Sequence, residues 1–279
     1  MPLSPKCQAF KEAVLSNYRS SGRVFPWRKK RTSPWGVLVS EFMLQQTQTA
    51  RVVSYWEAWM KKWPAVKDVA RAGLGEVLSA WSGLGYNSRA RRLWECAKMI
   101  CADYGGRVPK TPGELVKLPG IGPYTSGAIA CFAWDYPAVF IETNIRAAAL
   151  HFFFEDRSGV GDDEIIPFLK ECVPEKGARE WYYALMDYGA ALKKTTLNPG
   201  RKSAHYAKQS RFEGSFRQIR GAIVRVLAQN GPQKKAALQS ALAEEVPALS
   251  DADFCRALDS LQKEMMVAET DEVWEIGGE

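Results

Sequence analysis

The sequence predicts an all-α protein with a large helical body and a small winged-helix-like domain at its C-terminus. Apolar residues recur with helical spacing from residue 35 onward, strand-like alternation is absent from the first 200 residues, and Gly and Pro separate the helical segments. A chain of 279 residues can bury a sizeable core without disulfides. We expect a helical domain over residues 1–200, a basic linker over 201–215 and the small domain over 216–279.

Amphipathic stripes predict the helices of the body. One stripe stops at Pro64, which cannot continue a helix, and consists of Val52, Val53, Trp56, Trp59, Met60 and Trp63. A second stripe is followed by a pair of glycines and consists of Leu93, Ala97, Ile100 and Tyr104.

The region after the linker predicts three short helices followed by a hairpin that turns at Thr270–Asp271, an order that resembles a winged helix. In a winged helix that reads DNA, the third helix makes the contacts. Here that helix is acidic: Arg256 and Lys263 are outnumbered by Asp251, Asp253, Asp259 and Glu264. We therefore expect this domain to pack on the body or to contact a protein, with direct DNA reading as the alternative.

The net charge of +7 is unevenly distributed along the chain. Residues 212–279 carry 7 Lys and Arg against 12 Asp and Glu, whereas residues 1–211 carry 31 against 19. A body this basic suits a polyanion, although a solvated surface that leans positive is the alternative.

The lengths of the apolar runs and the spacing of the cysteines exclude several classes of protein. There is no run of about 18 apolar residues, and the first residues lack the apolar stretch of a secretory signal. We expect a cytoplasmic, nucleoid-associated protein with no membrane contact. The six cysteines show neither a CxxC pair nor a His at ligand spacing, which predicts buried thiols and no metal held by side chains.

The most specific motif occupies residues 111–134 and reads TPGELVKLPGIGPYTSGAIACFAW. Thr111 is suited to cap a short helix, with Pro112 in the first turn and Glu114 completing a capping box. This helix is predicted to end at the segment LPGIG.

Gly120 and Gly122 permit the positive φ angles and the close approach that a tight hairpin needs, and Pro123 suits the first position of the next helix. The turn then presents backbone amides and a helix N-terminus to an anion, so it can hold a DNA backbone without reading its sequence. A corner between two helices that uses glycine only for packing is the alternative.

This motif resembles the helix-hairpin-helix element, and residues 20–192 are similar to the A/G-specific adenine glycosylases of the helix-hairpin-helix DNA glycosylase superfamily. The resemblance implies a two-lobed helix-hairpin-helix glycosylase body that binds, as a monomer, double-stranded DNA containing a damaged or mismatched base. It also implies a monovalent cation, Na⁺ or K⁺, on the backbone carbonyls of Leu118 and Gly120. The hairpin residues that it assigns to DNA binding are Leu118, Gly120, Ile121, Gly122 and Thr125.

Two glutamates carry the predicted chemistry, in the segments RVFPWRKKRTSPWGVLVSEFMLQQTQTA and FIETNIRAA. Cleavage of a purine glycosidic bond needs an acid for the departing base and an anion for the oxocarbenium-like sugar. Apolar neighbours of Glu41 predict a raised pKa and a general acid, which matches the family's proton donor to purine N7. Glu142, just ahead of a helix that Thr143 is expected to cap, would face the sugar. A glutamate that only caps the helix or forms a salt bridge is the alternative.

The resemblance also assigns neighbours of these carboxylates. Asn144 and Tyr124 match the family's positions beside the sugar and the catalytic acid. Glu142 stands where the family has Asp, and a displacement of one methylene can cost about a hundredfold in rate. Because the bifunctional endonuclease III branch has Lys where this chain has Tyr124, the resemblance implies base removal without Lys-based lyase activity.

A flipped base must leave the stack, and something must fill the hole. Gln46 and Tyr86 match the family's wedge residues, and Tyr86 precedes a basic stretch that begins at Arg89; a buried core tyrosine is the alternative. Gln45 and Thr47 flank the first wedge and are assigned to DNA binding with Arg89. The base pocket implied by the resemblance consists of Arg23, Phe25, Trp27, Arg28 and Asp187.

The chain departs from the family pattern in two regions. Residues 186–209, where most adenine glycosylases begin a four-cysteine loop for a [4Fe–4S] cluster, contain no cysteine, so we expect no cluster and no other cofactor. The family's larger C-terminal domain, which recognises 8-oxoguanine, is replaced by about 68 acidic-leaning residues, which leaves the opposite base open.

Three functions remain open. The first is a monofunctional glycosylase of base excision repair for adenine or a related purine such as hypoxanthine. The second is a uracil- or thymine-type mismatch glycosylase, against which Glu41 argues because pyrimidines lack N7. The third is a non-catalytic homologue that binds DNA structure.

Overall fold

A computed structural model describes residues 3–207, 211–243, 245–246 and 249–277. Its helices are α1 Pro5–Ser21, α2 Pro34–Leu44, α3 Thr49–Lys62, α4 Val66–Arg71, α5 Leu74–Trp81, α6 Ser88–Asp103, α7 Pro112–Leu115, α8 Pro123–Trp134, α9 Thr143–Phe153, α10 Asp162–Cys172, α11 Ala178–Thr195, α12 Phe216–Asn230, α13 Lys235–Ala243 and α14 Asp251–Lys263. The strands are β1 Gln233–Lys234, β2 Val267–Thr270 and β3 Val273–Ile276, and short 3-10 turns occupy Pro26–Arg28 and Pro199–Lys202.

The chain divides into two compact units. The first comprises residues 1–37, 110–117 and 121–208, and the second comprises residues 38–109, 118–120 and 209–279. Residues 209–279 thus group with residues 38–109. The division between residues 208 and 209 falls within the linker expected over 201–215, whereas residues 1–200, expected to form one domain, are shared between the two units.

The first unit is built around α9 and α11, which pack closely along their length. Helices α1 and α10 also pack against this pair, and apolar side chains of all four form one core that includes Phe10, Leu150, Leu169 and Trp181. Gly189 permits the close approach of α11 to α9, because a Cβ added there would lie 2.0 Å from the backbone oxygen of Asn144.

The segment after α11 is tied to the first unit rather than extended as a free linker. The backbone N–H of Val160 donates to the carbonyl of Lys202 at 3.0 Å, and the N–H of Ala204 donates back to Val160 at 3.0 Å. Ser203, between them, is buried. The linker predicted over 201–215 therefore begins within packed structure; its residues 208–210 lie outside the described part of the chain.

The second unit holds α3, α5 and α6, with α12 of the C-terminal region packed on α5. The predicted stripes are confirmed, since α3 ends at Lys62 before Pro64 and α6 buries Leu93, Ala97 and Ile100.

The C-terminal region has the predicted order of three helices and a hairpin, completed by β1 in a small antiparallel sheet of order β1-β3-β2. The hairpin turns at Asp271–Glu272, one residue later than predicted, because both residues adopt positive φ (50° and 63°) in a two-residue turn. The predicted all-α class with a winged-helix-like end is confirmed.

The acidic third helix, α14, uses part of its charge within the unit. Glu264, just after α14, pairs with Arg220 of α12 at 2.6 Å, and the Arg220 hydrogen bond lowers the pKa of that carboxyl. The apolar face of α14, which includes Phe254 and Leu258, is buried. Across the described residues, none of the helices is long and apolar enough to cross a bilayer.

Candidate active site

Glu41 lies near the end of α2, in the second unit. The residue is only 6% exposed, and its neighbours Val39, Phe42 and Met43 are fully buried. Most residues of α2 are buried, because the helix is apolar on every side rather than along one face. Glu41 therefore has the desolvated setting that the sequence predicts for a general acid.

Glu142 is the N-cap of α9, in the first unit. Its Oε1 accepts hydrogen bonds from the backbone N–H groups of Asn144 and Ile145, both at 2.8 Å. Its Oε2 accepts from the Thr143 hydroxyl at 3.0 Å and from the side-chain amide of Asn144 at 3.1 Å. The expectation that Thr143 caps this helix is wrong, because Thr143 is the first helical residue and the longer Glu142 side chain folds back to the amides.

Asn144 connects Glu142 to a lysine that the sequence analysis did not single out. The side-chain oxygen of Asn144 accepts a hydrogen bond at 2.9 Å from Nζ of Lys193, in the last turn of α11. Burial lowers the pKa of Lys193; Glu142 opposes that shift and Arg146 adds to it. From sequence alone, Lys193 and Lys194 are typical of the basic last turn of an exposed helix.

Tyr124 is the second residue of α8 and is half-buried. Its ring packs edge-on against Phe140, with centroids 5.7 Å apart. Helix α8 begins at Pro123, and α7 begins with Thr111 accepting from the Glu114 N–H, so the two predicted helix starts of the hairpin motif are confirmed.

The five residues expected to form the base pocket lie together in the first unit. Both oxygens of Asp187 are held by Arg23 and Arg28, with Arg23 at 2.6 Å and Arg28 at 2.9 Å. The rings of Phe25 and Trp27 stack in parallel with centroids 5.1 Å apart. Each of the two guanidiniums also lies over the Phe25 ring, at 5.3 Å and 5.0 Å.

Asp187 offsets one of the two positive charges of this cluster. Burial by itself would raise the pKa of Asp187, but its hydrogen bonds and ion pairs with Arg28 and Arg23 outweigh burial and hold the pKa below the ordinary value. The cluster therefore keeps a net charge of +1 beside the half-buried Phe25 ring, and an aromatic ring is suited to stack on a base.

Both predicted wedge residues adopt a left-handed backbone in the second unit. Gln46 has φ 54° and Tyr86 has φ 51°, values that are uncommon for residues other than glycine and that cluster at functional sites. Gln46 is exposed at the turn after α2, and Tyr86 is half-buried before α6.

Arg89 joins these two turns. It is 6% exposed, and its guanidinium donates to the carbonyls of Phe42, Met43 and Gln45 on one side and of Leu84 and Gly85 on the other. Burial lowers the pKa of Arg89 to about 10, while Tyr86 opposes the shift. DNA binding by Arg89 stays a prediction; in this structure both of its terminal nitrogens donate to oxygens of the protein. Its geometry is that of a brace for the two wedge turns.

The hydroxyl of Tyr86 has a partner in the C-terminal region. The guanidinium of Arg217, in the first turn of α12, donates to this hydroxyl and lies 5.3 Å from the ring centroid. No motif indicated this contact, because the two residues are 131 positions apart in the sequence.

Gly120 of the LPGIG hairpin is required for two reasons. Its φ is +78°, and a Cβ there would lie 2.8 Å from Cβ of Arg92 and 2.8 Å from the Phe42 ring. Gly122 differs from expectation, because its φ of −89° is open to any residue and no atom lies within 4 Å of an added Cβ. Gly122 instead leaves open space at the N-cap of α8, where backbone can be approached closely.

The side chains of Leu118, Ile121 and Thr125 are buried. They therefore shape the hairpin, and the DNA contact assigned to these three residues stays a prediction. Within the described chain, no backbone N–H donates to the carbonyls of Leu118 or Gly120, so these oxygens fit the donor set of a monovalent cation.

The stretch from the second half of α11 to residue 209 does not fit an iron–sulfur cluster. Residues 186–209 contain no cysteine that could supply a thiolate ligand. Backbone hydrogen bonds join residues 202 and 204 of this segment to Val160. Among the residues placed by the structure, His, Cys, Asp and Glu form no group of three that could hold a metal.

Comparison with known proteins places these features in a family. Residues 39–183 match the family model described as HhH-GPD superfamily base excision DNA repair protein. The adenine DNA glycosylase of Mycolicibacterium smegmatis is 37% identical over 278 aligned residues, covering 92% of this chain and 92% of that relative.

Solved structures share the helical fold. A thermostable thymine-DNA glycosylase matches with a TM-score of 0.59 and 27% identity over 66% of this chain and 86% of its own. A non-covalent endonuclease III–DNA complex matches with a TM-score of 0.55 and 21% identity over 64% of this chain and 84% of its own.

Proposed function

The chain belongs to the HhH-GPD superfamily of base excision DNA repair proteins, and we propose that it is a monofunctional DNA glycosylase that removes adenine or a related purine such as hypoxanthine. The contrast between its two carboxylates carries the proposal. Glu41 is buried in an apolar helix, whereas Glu142 is half-buried and accepts four hydrogen bonds at a helix N-terminus. Two carboxyl groups in such different surroundings are suited to divide acid and anion roles.

The proposed reaction hydrolyses the bond between C1′ and the purine. A proton passes from Glu41 to purine N7, the C1′–N9 bond breaks, and its electron pair leaves with the base. The positive charge that develops on the sugar is stabilised by the Glu142 carboxylate. Water then adds to C1′ and loses a proton, which leaves an abasic site and an intact strand.

Further residues of the chain would hold the substrate. The amides at the start of α8 would bind a phosphate, and a monovalent cation on the carbonyls of Leu118 and Gly120 would add positive charge there. The turns of Gln46 and Tyr86 would fill the gap left by the flipped nucleotide. The Phe25–Trp27 stack would contact the extruded base.

Base release from a set of duplexes tests this proposal. Adenine, hypoxanthine, uracil and thymine are placed opposite each normal base and opposite 8-oxoguanine, and free-base release is scored separately from strand nicking. The proposal predicts purine release without nicking. Release of uracil or thymine would support the pyrimidine alternative, and binding without release of any base would support the non-catalytic one.

A matched pair of variants assigns the acid. Glu41→Gln should lower the single-turnover rate of purine release by about 10²- to 10⁴-fold, because the proton donor is removed, while duplex binding is retained. Glu57→Gln makes the same chemical change at an exposed position of α3 and should release base at the wild-type rate. An unchanged rate in Glu41→Gln removes Glu41 from the mechanism.

A further inference from the structure

We infer that Lys193 is a positioning residue for Glu142 and that it acts through the side-chain amide of Asn144. The inference rests on the role proposed above for Glu142 and adds a residue that neither the hairpin motif nor the family match assigns. It predicts that Lys193 affects the chemical step of base release and leaves DNA binding unchanged.

Two hydrogen bonds in series connect the three residues. Nζ of Lys193 donates to the side-chain oxygen of Asn144 at 2.9 Å, and the side-chain nitrogen of Asn144 donates to Oε2 of Glu142 at 3.1 Å. A primary amide has one accepting end and one donating end, and a lysine ammonium can only donate. Lys193 therefore fixes the amide with its oxygen toward the lysine and its NH₂ group toward Glu142.

The packing of the helices sets the reach of Lys193. Gly189 lies one helical turn before Lys193, on the same face of α11. A Cβ at Gly189 would lie 2.0 Å from the backbone oxygen of Asn144 and 2.6 Å from its carbonyl carbon. The α11 backbone thus rests directly on Asn144, and the lysine side chain extends from a fixed point to the amide of the same residue.

Lys193 is the cation that contacts the side-chain amide of Asn144, because the neighbouring Arg146 is paired elsewhere. Arg146, the other cation that affects Lys193, is engaged by Asp162 of α10 through Nε at 2.6 Å and a second nitrogen at 2.7 Å. Lys193 is half-buried, whereas its neighbour Lys194 is exposed. An amine that is partly withdrawn from water interacts more strongly with its polar partner than an exposed one does.

Loss of the ammonium should release the Asn144 amide to rotate. Its oxygen could then face Oε2 of Glu142, where two acceptors repel, and the carboxylate would lose a fixed donor. Errors in the placement of a reacting group of this kind reduce the rate by about tenfold to a hundredfold. Binding of duplex DNA should not change, because Lys193 is directed at the protein interior.

Lys193→Met and its matched control Lys194→Met test this inference. The single-turnover rate of base release should fall at least about tenfold in Lys193→Met and stay at the wild-type value in Lys194→Met, with equal duplex Kd in all three proteins. In an Asn144→Ala background, Lys193→Met should have no further effect, since the intermediary is gone. A wild-type rate in Lys193→Met, or an additional loss in the Asn144→Ala background, overturns the inference.

A spectroscopic measurement keeps the test independent of catalysis. The side-chain NH₂ resonances of Asn144 should shift in Lys193→Met and remain unchanged in Lys194→Met. If wild-type protein releases no base, the proposed function fails, and these resonances still decide whether Lys193 orients the amide. Borohydride trapping of a DNA adduct that disappears in Lys193→Met would make the lysine a nucleophile and overturn a positioning role.

Discussion

Replacement of Gly189 by alanine tests whether the contact between α9 and α11 positions Asn144. The new Cβ would lie 2.0 Å from the backbone oxygen of Asn144, and real Cβ atoms do not approach closer than 3.0 Å, so the two backbones must separate by about 1 Å. Overpacking of this kind costs about 1–3 kcal/mol of the free energy of unfolding, even though alanine favours a helix over glycine. The same displacement moves Asn144 relative to Lys193 and should lower the rate of base release by about a hundredfold.

Gly221→Ala provides the matched control. Gly221 also lies inside a helix, α12, but a Cβ there meets no atom within 4 Å. The control should gain about 0.4–1 kcal/mol of stability and keep wild-type activity. Urea unfolding and single-turnover base release measure both effects. If Gly189→Ala were as stable and as active as Gly221→Ala, the contact between the two backbones would not position the site.

Two other substitutions test the remaining contacts. Asp187→Asn leaves two guanidiniums without their carboxylate and should lower the free energy of unfolding by about 3 kcal/mol at neutral pH. The folded pKa of Asp187 is below the ordinary value, so this contribution is fully present above the unfolded carboxyl pKa and is lost as pH falls through the folded pKa. The free energies of unfolding of wild type and variant, measured in urea, should therefore begin to converge below about pH 4. Arg89→Met leaves buried carbonyls without donors and should destabilise by about 3 kcal/mol while the salt dependence of DNA affinity stays unchanged; a slope reduced by about 1 would instead show a phosphate contact.

Local patterns were sufficient to predict the helices and the ends of the hairpin motif. The start of α8 follows from Pro123 and the end of α3 from Pro64, because proline acts within one turn of the chain. The order of the winged-helix elements could also be predicted from local patterns, because each helix and strand has its own hydrophobic periodicity.

Contacts between distant residues could not be predicted in this way. Arg89 belongs to a basic stretch, which is typical of a surface that binds phosphate, but the carbonyls that hold it come from turns whose geometry the sequence does not specify. Lys193 and Asn144 are 49 positions apart and meet because Gly189 brings two helices together. The position of Glu142 as the N-cap of α9 could not be predicted either, because Thr143 is of a residue type that caps helices more often.

The position of one extruded nucleotide relative to both carboxyl groups is the most direct test of the proposed mechanism. A crystal structure of the protein bound to duplex DNA with a non-hydrolysable deoxyadenosine analogue measures it. We expect a Glu41 oxygen within hydrogen-bond distance of purine N7 and the Glu142 carboxylate facing C1′ of the same nucleotide, with the LPGIG amides on a neighbouring phosphate. A complex in which the flipped nucleotide contacts only one of these carboxylates, or neither, would contradict the division of acid and anion roles between them.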